Sequence, residues 1–332
     1  MNFLESQIQT LGLVPGKEAE KMHIVFCADK NYVQHLGVAM TSVNINNYQT
    51  YINFHVICNT IEKSDIEKFS ALVKTYKNKI DFYFIDKHSY ANLKFSSHAT
   101  HLSLAACYRF AIPYILPKYI KKALYLDCDL VCTNSLLDLW STDISNLALA
   151  ACGAKKPNQT NRLKLKQELY FNSGVMLINI ERWRQDKISF RAVEFIEDNP
   201  SLVNFLDQDG LNKVLDGNFL NLSRKWNSRI SMENQKSTIV PDAAIVHFAG
   251  SLKPWQKCLD PRKEIYWEYL KISPWSNKYL DREKAFEEIM TEKISLLFIL
   301  LIQRVKQTKK QVNMVLSKFI NLLIEYLKYK SY

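Results

Sequence analysis

Glycine, proline and paired cysteines are scarce in this sequence, and each scarcity excludes a class of protein. Only 8 Gly and 9 Pro occur among 332 residues, and no repeat or low-complexity segment is visible, which argues against disordered and repeat architectures. The seven cysteines form no Cys-x-x-Cys pair, which argues against a zinc site and for a reducing compartment. The longest apolar run, 294–302, is too short to span a bilayer. The composition suits one large α/β domain with an appendage.

Acidic residues are nearly missing from positions 293–332, where eight Lys and Arg face a single Glu and most of the net charge of +11 lies. Apolar residues recur there every three to four positions, which predicts an amphipathic helix. Such a helix packs on the core or another subunit, or binds an anionic membrane surface, and the one-signed charge favours the membrane. Nucleic-acid binding is not expected, since these residues lie in an apolar-striped tail rather than in a groove with stacking aromatics.

The first 21 residues lack the features of a secretory signal. They have no basic start and only short apolar runs, and Glu5 interrupts the first of these. Together with the unpaired cysteines, this predicts a cytoplasmic protein, either free or attached to a membrane from the cytosolic side.

Alternating β and α patterns fill the rest of the chain. Apolar runs bounded by polar residues predict strands at 23–28, 52–58, 80–85, 123–126, 147–152 and 175–180. Helical patterns fall at 33–46, 64–76 and 103–116, and Ser64 with Glu67 is typical of a capping box. This alternation predicts an α/β fold with a mostly parallel central sheet covered on both faces.

Two carboxylates, Asp127 and Asp129, follow the apolar run at 123–126. In extended backbone, residues i and i+2 point the same way, about 7 Å apart, so both carboxylates should face one side and Cys128 the other. Ligands bind at the carboxyl ends of strands in open α/β sheets, and paired carboxylates there suit Mg²⁺ or Mn²⁺. A divalent ion at this place can hold a diphosphate and stabilise its charge as it leaves. Because Asp-x-Asp pairs also occur in turns and caps, the interpretation depends on the rest of the chain.

Further segments place polar residues at predicted element ends: 26–32, 108–109, 170–179, 207–209, 225–227 and 245–255. In this order they resemble glycosyltransferase family 8, and within it the bacterial galactosyl- and glucosyltransferases that extend lipopolysaccharide or lipooligosaccharide cores. The resemblance runs from about residue 22 to residue 256. It is far more specific than the Asp-x-Asp pair, because separate motifs recur in the same order.

The resemblance implies a nucleotide-sugar (GT-A) Rossmann-like fold, a UDP-sugar donor, Mn²⁺ with Mg²⁺ as the alternative, and retention of the anomeric configuration. It matches Asp127 and Asp129 to the metal-binding pair and His247 to the third ligand. Without the family spacing, a lone His after a strand would more often be a core or surface residue. Gly250 would let the backbone approach the diphosphate closely, and Lys253 would bring a positive charge to a phosphate.

The resemblance also carries over contacts to the rest of the donor. Residues matched to the nucleotide follow the first predicted strand or lie inside the Asp-x-Asp pair: Ala28, Asp29, Asn31, Tyr32 and Cys128. Residues matched to the donor sugar are Arg109, Asn172, Asp207 and Gln208. His101 matches an acceptor contact of some members. Each has a plain structural alternative: Asp and Asn favour turns, Arg109 would suit a helix surface, and Asp207 would suit an N-cap.

One loop departs from the family pattern. After Ala154, where many relatives carry an acidic residue in an acceptor loop, this chain has Lys155 and Lys156. A basic loop there would suit a phosphorylated or acidic acceptor.

We therefore expect a hexosyltransferase that extends a cell-surface glycan on the cytosolic face of the inner membrane. The expected divisions are an N-terminal extension (1–21), a catalytic domain (22–280) and a basic helical tail (281–332). The alternatives are a glycogenin-like or other-acceptor transferase of the same family, and an idle sugar-nucleotide or glycan-binding protein. A nucleotidyltransferase is disfavoured because residues 28–31 are not a Gly-rich phosphate loop.

Overall fold

The structure, a computed structural model, describes residues 7–13, 21–86, 104–234, 236–256, 258 and 260–279, together with 317, 318, 320, 321 and 324. The chain divides into two compact units, Met1–Trp275 and Ser276–Tyr332. In the second unit, the five described residues between 317 and 324 are helical and exposed. His101 and most of the basic tail lie outside the described residues. Within the described part, no helix is long and apolar enough to cross a membrane.

Eleven strands are described in the first unit: β1 (Gln7–Gly12), β2 (Met22–Ala28), β3 (Ile52–Cys58), β4 (Lys79–Phe84), β5 (Lys122–Leu126), β6 (Leu130–Cys132), β7 (Leu149–Lys155), β8 (Leu169–Asn179), β9 (Leu220–Asn221), β10 (Ser228–Ile230) and β11 (Ile245–Phe248). The described α-helices are α1 (Val33–Asn46), α2 (Lys63–Tyr76), α3 (Ile112–Ile115), α4 (Leu137–Ser141), α5 (Pro157–Arg162), α6 (Ile180–Gln185), α7 (Ile188–Asp198), α8 (Leu206–Leu215) and α9 (Glu264–Lys271). Short 3₁₀ segments occur at Leu104–Ala111, Pro200–Leu202, Arg224–Trp226 and Pro261–Lys263.

The main sheet has eight strands in the order β1-β4-β3-β2-β5-β8-β7-β9. Strands β4, β3, β2 and β5 run parallel, whereas β8 is antiparallel to both β5 and β7, and β1 is antiparallel to β4. The predicted α/β class with a mostly parallel sheet is therefore confirmed. The expected N-terminal extension contributes β1 to this sheet.

The central strands β2 and β3 form where the apolar runs predicted them. Every residue of β2 and β3 is buried, as expected for parallel strands covered on both faces. Helix α1 and strand β3 have the predicted bounds. The capping box was wrong, because α2 already begins at Lys63 and Glu62 is its N-cap. The helix predicted over 103–116 is a 3₁₀ segment followed by the short α3, since Pro113 lacks the N–H that a continuous α-helix requires.

A second sheet, in the order β10-β11-β6, positions the site. Strand β6 follows Asp129 directly, and β11 pairs with it so that His247 lies opposite Leu130. The backbone N–H of Phe248 donates to the carbonyl of Asp129 at 2.9 Å. Parallel pairing of β10 with β11 then places Arg229 beside His247. This small sheet brings residues more than a hundred positions apart to the carboxyl end of β5.

Candidate active site

Asp127, Asp129 and His247 form one cluster at the carboxyl end of β5. Their ligand atoms all lie within 4.8 Å of one another. His247 Nε2 is 3.2 Å from Asp129 Oδ1 and 3.8 Å from Asp127 Oδ2. Cys128 points away from this cluster, with its thiol bonded to the carbonyl of Cys27. The side-chain directions predicted for the Asp-x-Asp pair are therefore present.

The imidazole of His247 is oriented by Asn227. Asn227 Oδ1 lies 2.9 Å from His247 Nδ1 and can only accept, so Nδ1 carries a proton and Nε2 faces the two carboxylates. Gly174 leaves room at the same point, because a Cβ built there would meet the His247 ring and lie 2.6 Å from Asp127 Oδ2. An imidazole nitrogen with two carboxylates and open space beside them is a donor set that fits Mn²⁺ or Mg²⁺.

Lys253 provides a positive charge at the edge of the cluster. Its Nζ lies 2.6 Å from Asp129 Oδ2 and donates to the carbonyl of Phe248 at 2.9 Å. Burial alone would raise the pKa of Asp129, but the nearby Lys253 and His247 outweigh that effect and hold this pKa well below its usual range. Asp129 therefore stays ionised and available to a cation.

Arg109 connects the candidate metal-ligand cluster, formed by Asp127, Asp129 and His247, to the residues predicted to contact the donor sugar. Its guanidinium is buried, donates to Asp127 Oδ1 at 3.0 Å and forms an ion pair with Asp207 Oδ2 at 3.1 Å. It also lies 4.5 Å from the centre of the Tyr125 ring, whose hydroxyl donates to Asp127 at 2.6 Å. Burial opposes the charge of Arg109, but Asp207, Tyr125 and Asp127 outweigh it and raise the pKa of Arg109. The helix-surface alternative for Arg109 is therefore wrong.

Asp207 lies in the first turn of α8, but Phe205 is the N-cap, so the capping alternative for Asp207 is wrong. Its side chain accepts a hydrogen bond from the Ser173 hydroxyl at 3.0 Å. Burial, together with the charge of Asp127, raises the pKa of Asp207 to about 6, although Arg109 opposes the shift. The carboxylate therefore binds protons more readily than an exposed Asp.

Gln208 and Asn172 face each other across the start of β8. Asn172 Nδ2 donates to Gln208 Oε1 at 2.8 Å, and the backbone N–H of Ser173 donates to the same oxygen at 3.1 Å. Gln208 Nε2 donates to the Tyr170 hydroxyl at 2.9 Å. Both predicted sugar-contact residues therefore lie in one bonded group.

Two adjoining cavities contain most of the predicted site. The smaller, about 110 Å³, is lined by Ala28, Asp29, Tyr32, Arg109, Asp127, Cys128, Asp129 and Lys253, among others. The larger, about 670 Å³, is lined by Arg109, Asp127, Asp129, Asn172, Asp207, Gln208, His247, Gly250 and Lys253, among others. Arg109, both aspartates and Lys253 belong to both cavities. Asn31 lines neither; it is exposed, and its backbone N–H donates to Asp29 Oδ1 in a turn.

Sequence reasoning missed several residues that hold the site together. Tyr125 lies two positions before Asp127 on the same strand face, so period-two alternation would have found it. Asn227 lay in a recognised segment but had no assigned role, since its contact depends on the pairing of β10 with β11. Tyr170 and Asp209 likewise had no role assigned. Gly174 had no side chain to suggest one.

A sheet of this topology with a carboxylate–imidazole cluster at its strand ends defines a GT-A glycosyltransferase. The chain belongs to family 8 of these enzymes: residues 23–258 match the sequence profile of Glycosyl transferase family 8.

Named relatives and solved structures agree with this membership. The chain is 31% identical over 282 residues to General stress protein A of Bacillus subtilis, covering 78% of this chain and 96% of that protein. It is 30% identical over 276 residues to lipopolysaccharide 1,3-galactosyltransferase of Salmonella typhimurium, covering 78% and 81%. The crystal structure of the galactosyltransferase LgtC, in complex with donor and acceptor sugar analogues, matches with a TM-score of 0.68 and 26% identity. That match covers 77% of this chain and all of LgtC.

Proposed function

We propose that the chain transfers a hexose, galactose or glucose, from a UDP-sugar to a hydroxyl of a cell-surface glycan such as the lipopolysaccharide core. The observation that carries the proposal is the Asp127–Asp129–His247 cluster, whose two aspartates line both cavities, whose histidine lines the larger one, and which has Lys253 beside it. The smaller cavity, with Asp29 and Tyr32, suits the nucleoside. The larger suits the hexose and the acceptor. The names of the lipopolysaccharide transferases among the relatives support the choice of sugar and glycan.

Asp127, Asp129 and His247 would hold Mn²⁺, with Mg²⁺ as the alternative. When bound, such an ion would act as a Lewis acid for the departing diphosphate. Lys253 reaches the same region and would share the phosphate charge. Gly250, with a φ of +112°, gives a backbone turn there that residues with a side chain rarely adopt.

Retention is proposed to occur by attack on one face of the sugar. The bond from C1 to the diphosphate oxygen breaks with its electron pair left on the diphosphate, and the acceptor oxygen bonds to C1 on the same face. The acceptor's proton passes to the departing phosphate oxygen. This route is favoured over a covalent enzyme intermediate because Asp207 is bound to Arg109 and Ser173, while Asp209 is fully buried and bonded.

The acceptor is proposed to carry an anionic group. Lys155 pairs with Glu168 at the surface, whereas Lys156 and Arg229 line the larger cavity. Among the described residues, the guanidinium of Arg229 has neither a hydrogen-bond partner nor a carboxylate within 4 Å. Transfer to glucose 6-phosphate should therefore exceed transfer to glucose, and Arg229→Gln should remove the difference. An equal rate with both sugars in the wild-type protein would contradict an anionic acceptor.

The basic tail is proposed to hold a catalytic domain at 22–280 on the cytosolic face of the inner membrane. The charge and the apolar periodicity of residues 293–332 support this proposal, since apolar residues can enter the lipid and basic residues can bind anionic headgroups.

The proposed function is tested by incubating the protein with a panel of UDP-sugars and Mn²⁺ without acceptor. Release of UDP from UDP-galactose or UDP-glucose is the expected result. An idle binding protein would bind the UDP-sugar in the same assay without releasing UDP.

A further inference from the structure

We propose that Tyr170 and Asp209 are positioning residues for Gln208, and that they fix its amide as a hydrogen-bond donor toward the cleft. They would do so as part of a chain of hydrogen bonds that all run in one direction, from His247 to the buried Asp209, which is paired with Arg162. The proposal rests on the proposed function, in which Gln208 contacts the donor sugar.

The direction of the hydrogen-bond chain is fixed at the end where Asp209 lies. Asp209 has no exposed surface, and its oxygens accept two bonds from Arg162 at 3.0 Å each. Backbone N–H groups of Asn204 and Phe205 donate to it at 2.7 and 2.8 Å. A carboxylate paired in this way only accepts, so the hydroxyl of Tyr170, 2.6 Å away, must donate to it. The Tyr170 oxygen is then left to accept from Gln208 Nε2.

The direction of the hydrogen-bond chain is fixed independently at Gln208, in its middle. The backbone N–H of Ser173 can only donate, so the Gln208 atom that it meets at 3.1 Å must be the amide oxygen. Turning the amide over would place its NH₂ group against this N–H and against the NH₂ of Asn172. The bonds to Asp209 and to Ser173 therefore require the same orientation of the Gln208 amide.

The hydrogen-bond chain continues to His247, the candidate metal ligand. Asn172 Oδ1 accepts from Asn227 Nδ2 at 2.8 Å, which leaves Asn172 Nδ2 as the donor to Gln208. Asn227 Oδ1 in turn accepts from His247 Nδ1. Each group therefore accepts on one side and donates on the other, which strengthens successive bonds.

These hydrogen bonds restrict what the side-chain amide of Gln208 can offer to a ligand. Both lone pairs of its amide oxygen are used by Asn172 and Ser173, and one amide hydrogen is used by Tyr170. The second amide hydrogen meets no acceptor among the described residues, and Gln208 lines the larger cavity. Gln208 is thus set to donate to a sugar or phosphate oxygen, rather than to offer an oxygen lone pair to the anomeric carbon.

The test removes one hydroxyl. Tyr170→Phe should lower kcat for UDP-hexose turnover about 10–100-fold, since small misplacements of a contacting group have effects of this size. KM for the donor should stay within about twofold. Tyr83→Phe is the matched control. The hydroxyl of Tyr83, on β4, is also buried and hydrogen-bonded, 3.0 Å from His55 Nδ1 on β3, and Tyr83 lines neither cavity. A rise in donor KM with kcat unchanged would overturn the proposal.

A double-mutant cycle separates positioning from general damage. If Tyr170 acts through Gln208, Tyr170→Phe should have no further effect on kcat in a Gln208→Ala background. If the two losses multiply instead, the residues act independently and the proposal is wrong.

A readout that needs no turnover keeps this test distinct from that of the function. The side-chain amide protons of Gln208, assigned by their loss in Gln208→Ala, should exchange slowly in wild type and faster in Tyr170→Phe. Unchanged exchange of the Gln208 amide protons in Tyr170→Phe would contradict the proposed hydrogen-bond chain even if catalysis were confirmed. A wild-type protein that turned over no UDP-sugar but showed this change would sink the proposed function alone.

Discussion

Lys253 and Asp129, 124 residues apart in sequence, form an ion pair of 2.6 Å on the wall shared by the two cavities. The pair joins the loop after β11 to the end of β5. It places a cation beside a candidate metal ligand, on the wall of the cavities proposed to hold the UDP-sugar.

The Lys253→Ala substitution should weaken UDP binding in the presence of Mn²⁺. Loss of a hydrogen bond to a charged group corresponds to about 1.5–3 kcal/mol, or roughly 10–150-fold in affinity. Isothermal titration calorimetry measures the UDP affinity, with Lys155→Ala as the control, because Lys155 is exposed and pairs with Glu168. Equal UDP affinity in Lys253→Ala and wild type would show that Lys253 does not contact phosphate.

Gly174→Ala should abolish binding of the divalent ion while the protein stays folded. The added Cβ would occupy the space between His247 and Asp127 that the ion needs. Mn²⁺ binding can be followed by electron paramagnetic resonance and the fold by circular dichroism. Gly153→Ala is the control, since its Cβ would crowd Phe219 at 2.9 Å, outside the metal-ligand cluster. Wild-type Mn²⁺ affinity in Gly174→Ala would argue against this location of the ion.

His35 should make the protein less stable in acid. It is buried, stacks on Trp255 with ring centres 3.5 Å apart, and contacts the Tyr266 hydroxyl at 2.7 Å. Burial lowers the pKa of His35 to about 3. A depressed pKa stabilises the folded state above the unfolded pKa of about 6.5, and this stability is lost as pH falls toward 3, by up to about 1.4 kcal/mol per pH unit.

Denaturant unfolding between pH 7 and pH 4 checks this, with His35→Phe as the comparison. The Phe variant keeps an aromatic ring in the stack and cannot titrate, so its free energy of unfolding should fall less steeply with acid. His55, also buried with a lowered pKa, is present in both proteins and cancels in the difference. Parallel pH curves would show that His35 does not contribute.

Sequence patterns found the backbone of this site better than its side-chain network. Asp127 and Asp129 were placed on one side by period-two geometry, apolar runs located β2 and β3, and a helical pattern located α1, since these are local properties. His247 was matched only through the family resemblance, because its position depends on β11 pairing with β6. The bonds among Tyr170, Gln208 and Asp209 join β8 to α8, and no local pattern specifies them.

Removal of the residues after 280 should abolish binding to anionic vesicles. Basic residues near such a surface contribute about 1 kcal/mol each, so binding should weaken as salt rises. Co-sedimentation of full-length and truncated protein measures this, beside a melting curve for each. A triple substitution of Lys306, Lys309 and Lys310 to Gln keeps the apolar stripe and should bind at an intermediate level. Unchanged sedimentation with a sharply lower Tm would instead support a tail that packs on protein.

The most direct test of the account is UDP release from UDP-galactose and UDP-glucose with Mn²⁺ or with EDTA, in wild type and in Asp129→Asn. The account predicts metal-dependent release by wild type, its loss in EDTA, and a fall of orders of magnitude in Asp129→Asn, which stays folded. Asp138→Asn, an exposed carboxylate on α4, should keep wild-type activity. Full turnover in EDTA, or in Asp129→Asn, would contradict the assignment of this cluster as the catalytic metal site.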